Sequence, residues 1–414
     1  MLDIRRLRTT TDQVKEAVAH KGADPTLVDT ALQLDAQHRN LTRRLQSLQA
    51  ERKTAQPHGA EDRAYAQSLK AELKRLQTED DGVYQHLQEV VRRIPNPPLP
   101  QVPIGEGEKD NVVIRRWGQP PHFDFPPRDH LDLGRLLQIL DFEAGAKVAG
   151  SQFYFLCNEG ALLELALIQF AFHQLIKEGF TPVITPDLAK ARYYLGTGYT
   201  PRGDEAQTYT LTDQDLGLIA TAEVTLAGKH ADEIIPEADL PLKYIGYSHA
   251  FRQEGGAYGR YSRGLYRVHQ FSKAEMFVYC VPEDSDRMHA HLLALEERIY
   301  QSLGIPYRVV EACTGDLGAM AARKFDIEAW MPGRNDYGEV TSTSNCTDYQ
   351  ARNLNIRCRR TSGAVDYPHM LNGTAIATSR TPIAILENYQ RADGSVSIPE
   401  VLRPYIGKNE IRPR

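Results

Sequence analysis

The sequence predicts an α+β fold, an antiparallel sheet with flanking helices, preceded by an N-terminal antiparallel two-helix coiled-coil arm. Two observations carry this. Apolar residues recur in steps of three and four along two runs between about 27 and 94. Beyond a proline-rich break, short β-branched runs mix with helical stretches without the regular alternation a doubly wound sheet needs.

In the first run Leu27, Ala31, Leu34, Leu41, Leu45 and Leu48 form a heptad seam, with His38 at its one polar position. Pro57 and Gly59 punctuate QPHGAED, residues 56–62. The seam resumes at Leu69, Leu73, Leu76, Val83, Leu87, Val90 and Ile94, with Asp80 as the exception. Two helices joined by a short turn fold back on each other, and their length implies an arm that projects from a body. PNPPLPQVP, residues 95–103, ends the arm, because proline removes a donor and stiffens a linker. The expected division is residues 1–105, with a hairpin over about 27–94, and residues 106–414.

In the body, DNVVIRRWG, TPVITP and YRVVEA read as strands. ALLELALIQFAFHQLIKEG and DSDRMHAHLLALEERIYQSLG read as helices stopped by Gly179 and Gly304. His289 and His291 lie one residue apart in the second helix and point to different sides, which favours packing or solvation over metal ligation.

Composition narrows the function classes. With 41% apolar and 25% charged residues, and no stretch approaching the roughly 18 apolar residues of a membrane span, the expectation is a cytoplasmic protein. Cys157, Cys280, Cys313, Cys346 and Cys358 form no C-x-x-C pair, so neither disulfides nor zinc are expected. Residues 1–105 hold 16 Lys+Arg against 14 Asp+Glu while the whole chain is at −5, so a polyanion prefers the N-terminal part. Arg39, Arg43, Arg44, Arg52 and Lys53 on the outgoing helix, and Lys70, Lys74 and Arg75 on the returning one, avoid the seam. A solvated coiled-coil face is the bland explanation of these charges, and contact with a nucleic-acid backbone the sharper one.

The segment FRQEGGAYGRYSRGLYRVHQFSKAE, residues 251–275, carries the chemistry. Arg252 and Glu254, one residue apart in a predicted strand, share a face. A loop rich in Gly, Arg and Tyr follows, and a second strand offers Phe271 and Glu275. Arginine forks onto phosphate or carboxylate, aromatic rings stack on bases and glutamate accepts from amines, so a nucleotide and an amine both fit. Phosphate-binding G-x-x-x-x-G-K-[ST], G-x-S-x-G and H-E-x-x-H are absent, and GTGYTPRG only approximates a dinucleotide fingerprint. Any ATP must therefore be held by arginines.

Around those residues stand GFTPVITPDL with Pro186, TAE at Thr221–Glu223, TGDLGAMAARKFDIEAW, EVTSTSNCTDYQARN, LNGTAIATSRTPIAILEN and IPEVLRPYIG. In this order, over essentially the full length, the chain resembles the bacterial-type seryl-tRNA synthetases, class II aminoacyl-tRNA synthetases. The resemblance implies the class II antiparallel sheet, a homodimer formed partly through the Pro186 region, and a coiled-coil arm that contacts the long variable arm of tRNA(Ser), typically on the other subunit. Membrane and DNA are not expected partners. Activation of serine with ATP, then transfer to the 3′ end of tRNA, is the implied reaction.

The same resemblance implies site roles. Arg252 bridges the α-phosphate and the serine carboxylate, and Arg380 covers the base and approaches the γ-phosphate. Glu254 addresses the adenine amino edge and Phe271 stacks on the base. Gln253, Val268, Val340 and Thr341 complete the nucleotide wall, and Glu339 and Ser342 ligate Mg²⁺. Thr221, Glu223 and Glu275 receive the serine ammonium, with Ala222 between them in the serine site, while Glu275, Asn372 and Thr374 read its hydroxyl. Ala375 and Ser379 stand where many class II enzymes have glycine, which suits a backbone of ordinary φ. Two further readings stay open: a relative that charges a carrier protein, which would lack the arm, and a paralogue conferring inhibitor resistance.

Overall fold

The computed structural model describes residues 1–54, 60–199, 208–254 and 264–414. The Pro57–Gly59 turn, the second half of GTGYTPRG (residues 200–203) and the Gly/Arg/Tyr loop after Glu254 lie outside the described residues. Two compact units divide the chain, Met1–Pro97 and Pro98–Arg414. Residues 98–105, expected with the arm, belong to the second unit: Leu99 N–H donates to Ala322 O (2.9 Å), and Pro103 O and Gly105 O accept from Thr314 and Gly315 N–H.

In the first unit α1 (Ile4–Thr9) and α2 (Thr11–His20) precede α3 (Thr26–Thr54) and α4 (Ala60–Arg93). The long helices pair along the expected seam, with Leu45, Leu73 and Leu76 buried against Leu41 and Leu48. The two polar exceptions are partners, His38 Nδ1 meeting Asp80 Oδ1 at 2.7 Å. Such a pair in an apolar seam fixes register, since any slip strands both groups. The seam starts one residue later than the heptad implies: Val28 is fully buried and Leu27 only half-buried. The cause is α1 and α2, which the heptad reading passed over. Leu7, Val14 and Val18 are buried, and the Arg8 guanidinium forks onto Asp35 of α3 (2.6 and 2.8 Å). Burial alone would raise the Asp35 carboxyl, but Arg8 and Arg39 hold it below the usual range.

In the second unit the main strands are β1 (Val112–Trp117), β2 (Thr181–Ile184), β3 (Leu242–Phe251), β4 (Gln270–Cys280), β5 (Tyr307–Glu311), β6 (Arg323–Met331), β7 (Asp336–Asn345) and β8 (His369–Ala377). They form one sheet in the order β1-β5-β6-β7-β8-β4-β3-β2, antiparallel except for β2, which joins β3 in parallel at the edge. Helices α5 (Asn158–Lys177), α6 (Glu223–Gly228), α7 (Ser285–Ser302) and α8 (Arg380–Asn388) flank it. Both predicted stops hold. Gly179 (φ +81°) and Gly304 (φ +66°) follow the last turns of α5 and α7, and the next N–H groups, of Phe180 and Ile305, reach back to Leu175 O and Tyr300 O.

One face of the sheet packs under α5, α7 and α8, with Met276, Val278, Ile327, Leu371 and Ala375 against Leu167, Phe170, Leu292, Ile299 and Ile383. His289 belongs to this layer, its Nε2 within 3.2 Å of Thr343 O, and burial pushes it down to about 4, as a packed neutral ring. Opposite, Phe277 and Tyr279 of β4 pack on Ala222, Leu226 and Leu354. Because side chains alternate along a strand, Phe271, Lys273 and Glu275 emerge on this second face. Among the described residues no helix is long and apolar enough to cross a membrane.

Candidate active site

On that second face a cavity of about 240 Å³ opens over the middle of the sheet. Glu223, Arg252, Glu254, Val268, Phe271, Glu339, Val340, Thr341, Ser342, Asn372, Thr374 and Arg380 line it. Residues as far apart in the sequence as Glu223 and Arg380 thus share one wall.

Arg252 and Glu254 reach the cavity by a route other than the strand alternation expected of them. β3 ends at Phe251, so neither residue is in the strand, and Glu254 takes a left-handed conformation (φ +48°). Arg252 N–H still donates to His269 O (3.0 Å), and both side chains line the cavity. The Arg252 guanidinium lies 5.3 Å from the Phe271 ring centre and its Nε donates to Ala220 O (3.4 Å). Glu254 pairs with Arg267 at 2.9 Å.

Glu339 and Ser342, three apart, should fall on opposite faces of a regular strand. A β-bulge reconciles them. Ile327 pairs with Thr341 and Glu328 with Glu339, so Val340 is the extra residue and parity shifts by one. Arg380, at the start of α8, meets Glu339 Oε1 at 3.0 Å, donates from Nε to Tyr266 O (3.2 Å) and lies 4.6 Å from the Tyr266 ring centre. Burial would raise the Glu339 carboxyl, yet Arg380, Lys324 and Arg252 hold it below the usual range, so it stays ionised. A second bulge, at Ala375, lets Thr374 pair with Glu275 and Ile376 with Ala274. Neither Ala375 nor Ser379 takes a positive φ, and Ser379 sits at −84°, so the methyl and hydroxymethyl fit without strain.

At the other end of the cavity the buried polar groups interlock. Lys273 Nζ lies 2.5 Å from Glu275 Oε2 and donates to Thr221 Oγ1 (3.2 Å). Thr374 Oγ1 donates to Glu275 Oε2 (3.4 Å), and Asn372 Nδ2 donates to Glu223 Oε1 (3.0 Å). Glu223 also accepts from Tyr199 and Gln350. Burial first, and the neighbouring Glu275 charge second, push Glu223 up to about 7, against the opposing pull of Gln350, Tyr199 and Lys273.

Glu275 and Thr221 stand behind the wall, linked to it through Lys273. Gln253 turns its amide to Thr208 O (3.0 Å), and Ala222 packs into the apolar cluster beneath α6. The sequence reading missed Lys273, Arg267, Tyr266, Tyr199 and Gln350. Lys273 was legible, since it lies between Phe271 and Glu275 at the period of a strand. Nothing local marked the others.

Among the described residues no three His, Cys, Asp or Glu side chains cluster as a metal cage. A carboxylate held ionised beside a hydroxyl gives two hard oxygen donors, which suits Mg²⁺ completed by phosphate oxygens and water.

Known proteins resemble this chain over its full length. Residues 209–389 match the tRNA synthetase class II core domain (G, H, P, S and T), and residues 1–98 match the seryl-tRNA synthetase N-terminal domain. The serine--tRNA ligase of Dictyoglomus turgidum is 56% identical over 424 residues, covering 100% of both chains. The crystal structure of seryl-tRNA synthetase from Pyrococcus horikoshii complexed with ATP superposes with a TM-score of 0.93 at 42% identity, covering 100% of each chain. That of the cytoplasmic serine-tRNA ligase from Naegleria fowleri in complex with AMP gives 0.88 at 35% identity, covering 100% of this chain and 99% of that one. The matched N-terminal domain disfavours the carrier-charging alternative, which would lack it. With relatives that span the chain end to end, a class II core and the characteristic N-terminal domain, the chain belongs to the seryl-tRNA synthetases, ligases that join serine to tRNA.

Proposed function

We propose that the cavity holds ATP beside serine, and that its residues activate the amino acid before passing it to tRNA(Ser). The observation that carries this reading is the convergence of two guanidiniums, Arg252 and Arg380, with the ionised Glu339 and the Phe271 ring around one opening. In the first step a serine carboxylate oxygen attacks the α-phosphorus, a P–O bond forms, and the bond to the bridging oxygen breaks to release pyrophosphate. In the second, a terminal tRNA hydroxyl attacks the seryl carbonyl and AMP leaves. The carboxylate is already a nucleophile, so the protein must position and neutralise more than remove a proton.

Arg252 draws the carboxylate and α-phosphate together, because its planar fork bonds two anions that otherwise repel. Phe271 and Arg380 sandwich the adenine, Glu254 accepts from its amino group, Gln253, Val268, Val340 and Thr341 border the nucleotide, and Arg380 reaches the γ-phosphate. Glu339 and Ser342 are the residues that would hold Mg²⁺, which supplies charge neutralisation at the phosphates when bound. In the free protein these charges pair with one another, Arg380 with Glu339 and Glu254 with Arg267. At Arg380, Glu339 and Glu254 substrate therefore exchanges partners. Arg267, freed from Glu254, joins the phosphate-binding arginines. Thr221, Glu223 and Glu275 serve the serine ammonium, and Glu275, Asn372 and Thr374 its hydroxyl. Pyrophosphate exchange with each of the twenty amino acids tests the reading, which fails if serine does not stand out.

The Glu223 environment fixes a pH dependence. Its carboxyl, pushed up to about 7, is protonated below that pH and must lose the proton to accept an ammonium. The KM for serine is therefore expected to fall about tenfold between pH 6 and pH 8, as the ionised fraction rises. Glu223→Gln should flatten that profile, and a flat wild-type profile would remove Glu223 from the ammonium site.

The arm's exposed cations support contact with the tRNA variable region. Arg39, Arg44 and Arg75 are paired with Asp35, Glu72 and Glu79, whereas Arg43, Arg52, Lys53, Lys70 and Lys74 are exposed and outside any ion pair among the described residues. Replacing Lys53, Lys70 and Lys74 with serine is expected to raise the KM for tRNA and to lower its salt slope by about one for each phosphate no longer neutralised. Exchange without tRNA should be unchanged; equal loss in both assays would place the effect elsewhere.

A homodimer through the Pro186 region is supported by apolar side chains left open on α5 and β2. Leu165 is 58% and Ile184 81% exposed, and β2 is an edge strand. Light scattering is expected to give twice the chain mass, and Ile184→Glu to shift it toward one chain; a wild-type monomer would rule the dimer out.

A further inference from the structure

Helix α8, which begins with Arg380, is fastened at its far end to a residue 257 positions upstream. Glu387 lies about two turns beyond Arg380 and so on the same side of the helix. Its carboxylate is buried, Oε1 accepting from His130 N–H (3.0 Å) and facing His130 Nδ1 (3.1 Å), and Oε2 accepting from Gly333 N–H (2.8 Å). The other ring nitrogen, Nε2, accepts from Leu265 N–H at 3.2 Å. An ionised carboxylate only accepts and an amide N–H only donates, so the imidazole carries its proton on Nδ1 and its lone pair on Nε2.

Tyr266, next to Leu265, closes the circuit. Its carbonyl accepts from Arg380 Nε and its ring lies beneath the same guanidinium. Gly264 (φ +65°) presses on the imidazole so closely that a Cβ there would stand 2.2 Å from Nε2. Arg380, Glu387, His130, Leu265 and Tyr266 thus form a closed ring in which His130 is the link between helix and turn.

We propose that His130 is a positioning residue for activation: its two-sided hydrogen bond locks the turn Gly264–Tyr266 against α8 and so sets where the Arg380 guanidinium stands in the cavity. His130 touches no substrate. The inference rests on the reading of Arg380 as an ATP-binding residue.

Two variants separate the two bonds. His130→Asn keeps a donor near Glu387 and loses the acceptor for Leu265, while His130→Gln places an amide oxygen near the Nε2 position. In pyrophosphate exchange on the full-length chain, His130→Asn is expected to raise the KM for ATP about tenfold or more, since small displacements of a positioning group are costly. The KM for serine should hold, and His130→Gln should recover most of the loss. Gly264→Ala, which drives a methyl into the same imidazole, is expected to show the same selectivity for ATP and serves if His130→Asn does not fold. Arg380→Ala is run beside them. If it raises the KM for ATP while His130→Asn and Gly264→Ala do not, or if ATP and serine KM rise together, the positioning role is wrong. If Arg380→Ala leaves the KM for ATP unchanged, the reading of Arg380 fails and the inference falls with it.

Discussion

Arg252→Ala is expected to lower kcat/KM for serine-dependent pyrophosphate exchange by about 10³, at the upper end of what removal of one charge-stabilising donor costs. Among the described residues the Arg252 side chain makes one long hydrogen bond, to Ala220 O, and lies against Phe271, so little of the described fold depends on it. A melting temperature near that of the wild type should therefore accompany the loss. Arg252→Lys should restore only a small part of the rate, because an ammonium is a point charge and cannot fork between a carboxylate and a phosphate. A loss of less than about tenfold for the alanine variant would mean that the bridging role belongs to another residue.

Serine is expected to be chosen over alanine by about 10⁴ in kcat/KM for the same exchange, and the size of that ratio follows from burial. Glu275, Asn372 and Thr374 are 1%, 7% and 6% exposed. With alanine bound, the groups meant for the hydroxyl would be closed off from water and left unpaired, and a site built to hydrogen-bond a hydroxyl rejects analogues without one by about 10⁴ to 10⁵. Threonine keeps the hydroxyl and adds a methyl, which a pocket excludes by only about 10² or less, so alanine should be rejected better than threonine. Thr374→Ala should narrow the serine-to-alanine ratio. A wild-type ratio below about 10² would show that the hydroxyl is not read by these residues.

Where periodicity carries the information, the residues announce their own structure. The steps of three and four in α3 and α4 named the seam, and the glycines after α5 and α7 marked their ends. Alternation along β4 put Phe271 and Glu275 on one face, and would have added Lys273. Arg252 and Glu254 line the cavity from beyond the strand end, where alternation no longer applies, and a left-handed residue such as Glu254 has no periodic signature. The bulges at Val340 and Ala375 were equally silent, each being one extra residue that only the partner strand reveals. His38 and Asp80 were visible as exceptions in two separate runs, and their pairing was not.

By itself, then, the order of amino acids determined the four longest helices, several strands, the seam and the family motifs, since each depends on neighbours a few positions apart. Only the tertiary structure decided that burial and the Glu275 charge push Glu223 up to about 7, that a bulge turns Glu339 and Ser342 to one side, and that His130 links α8 to the turn carrying Tyr266. Those outcomes depend on distances through space between distant segments. Charge repulsion, desolvation and hydrogen bonding act across that space regardless of how far apart the residues lie along the chain.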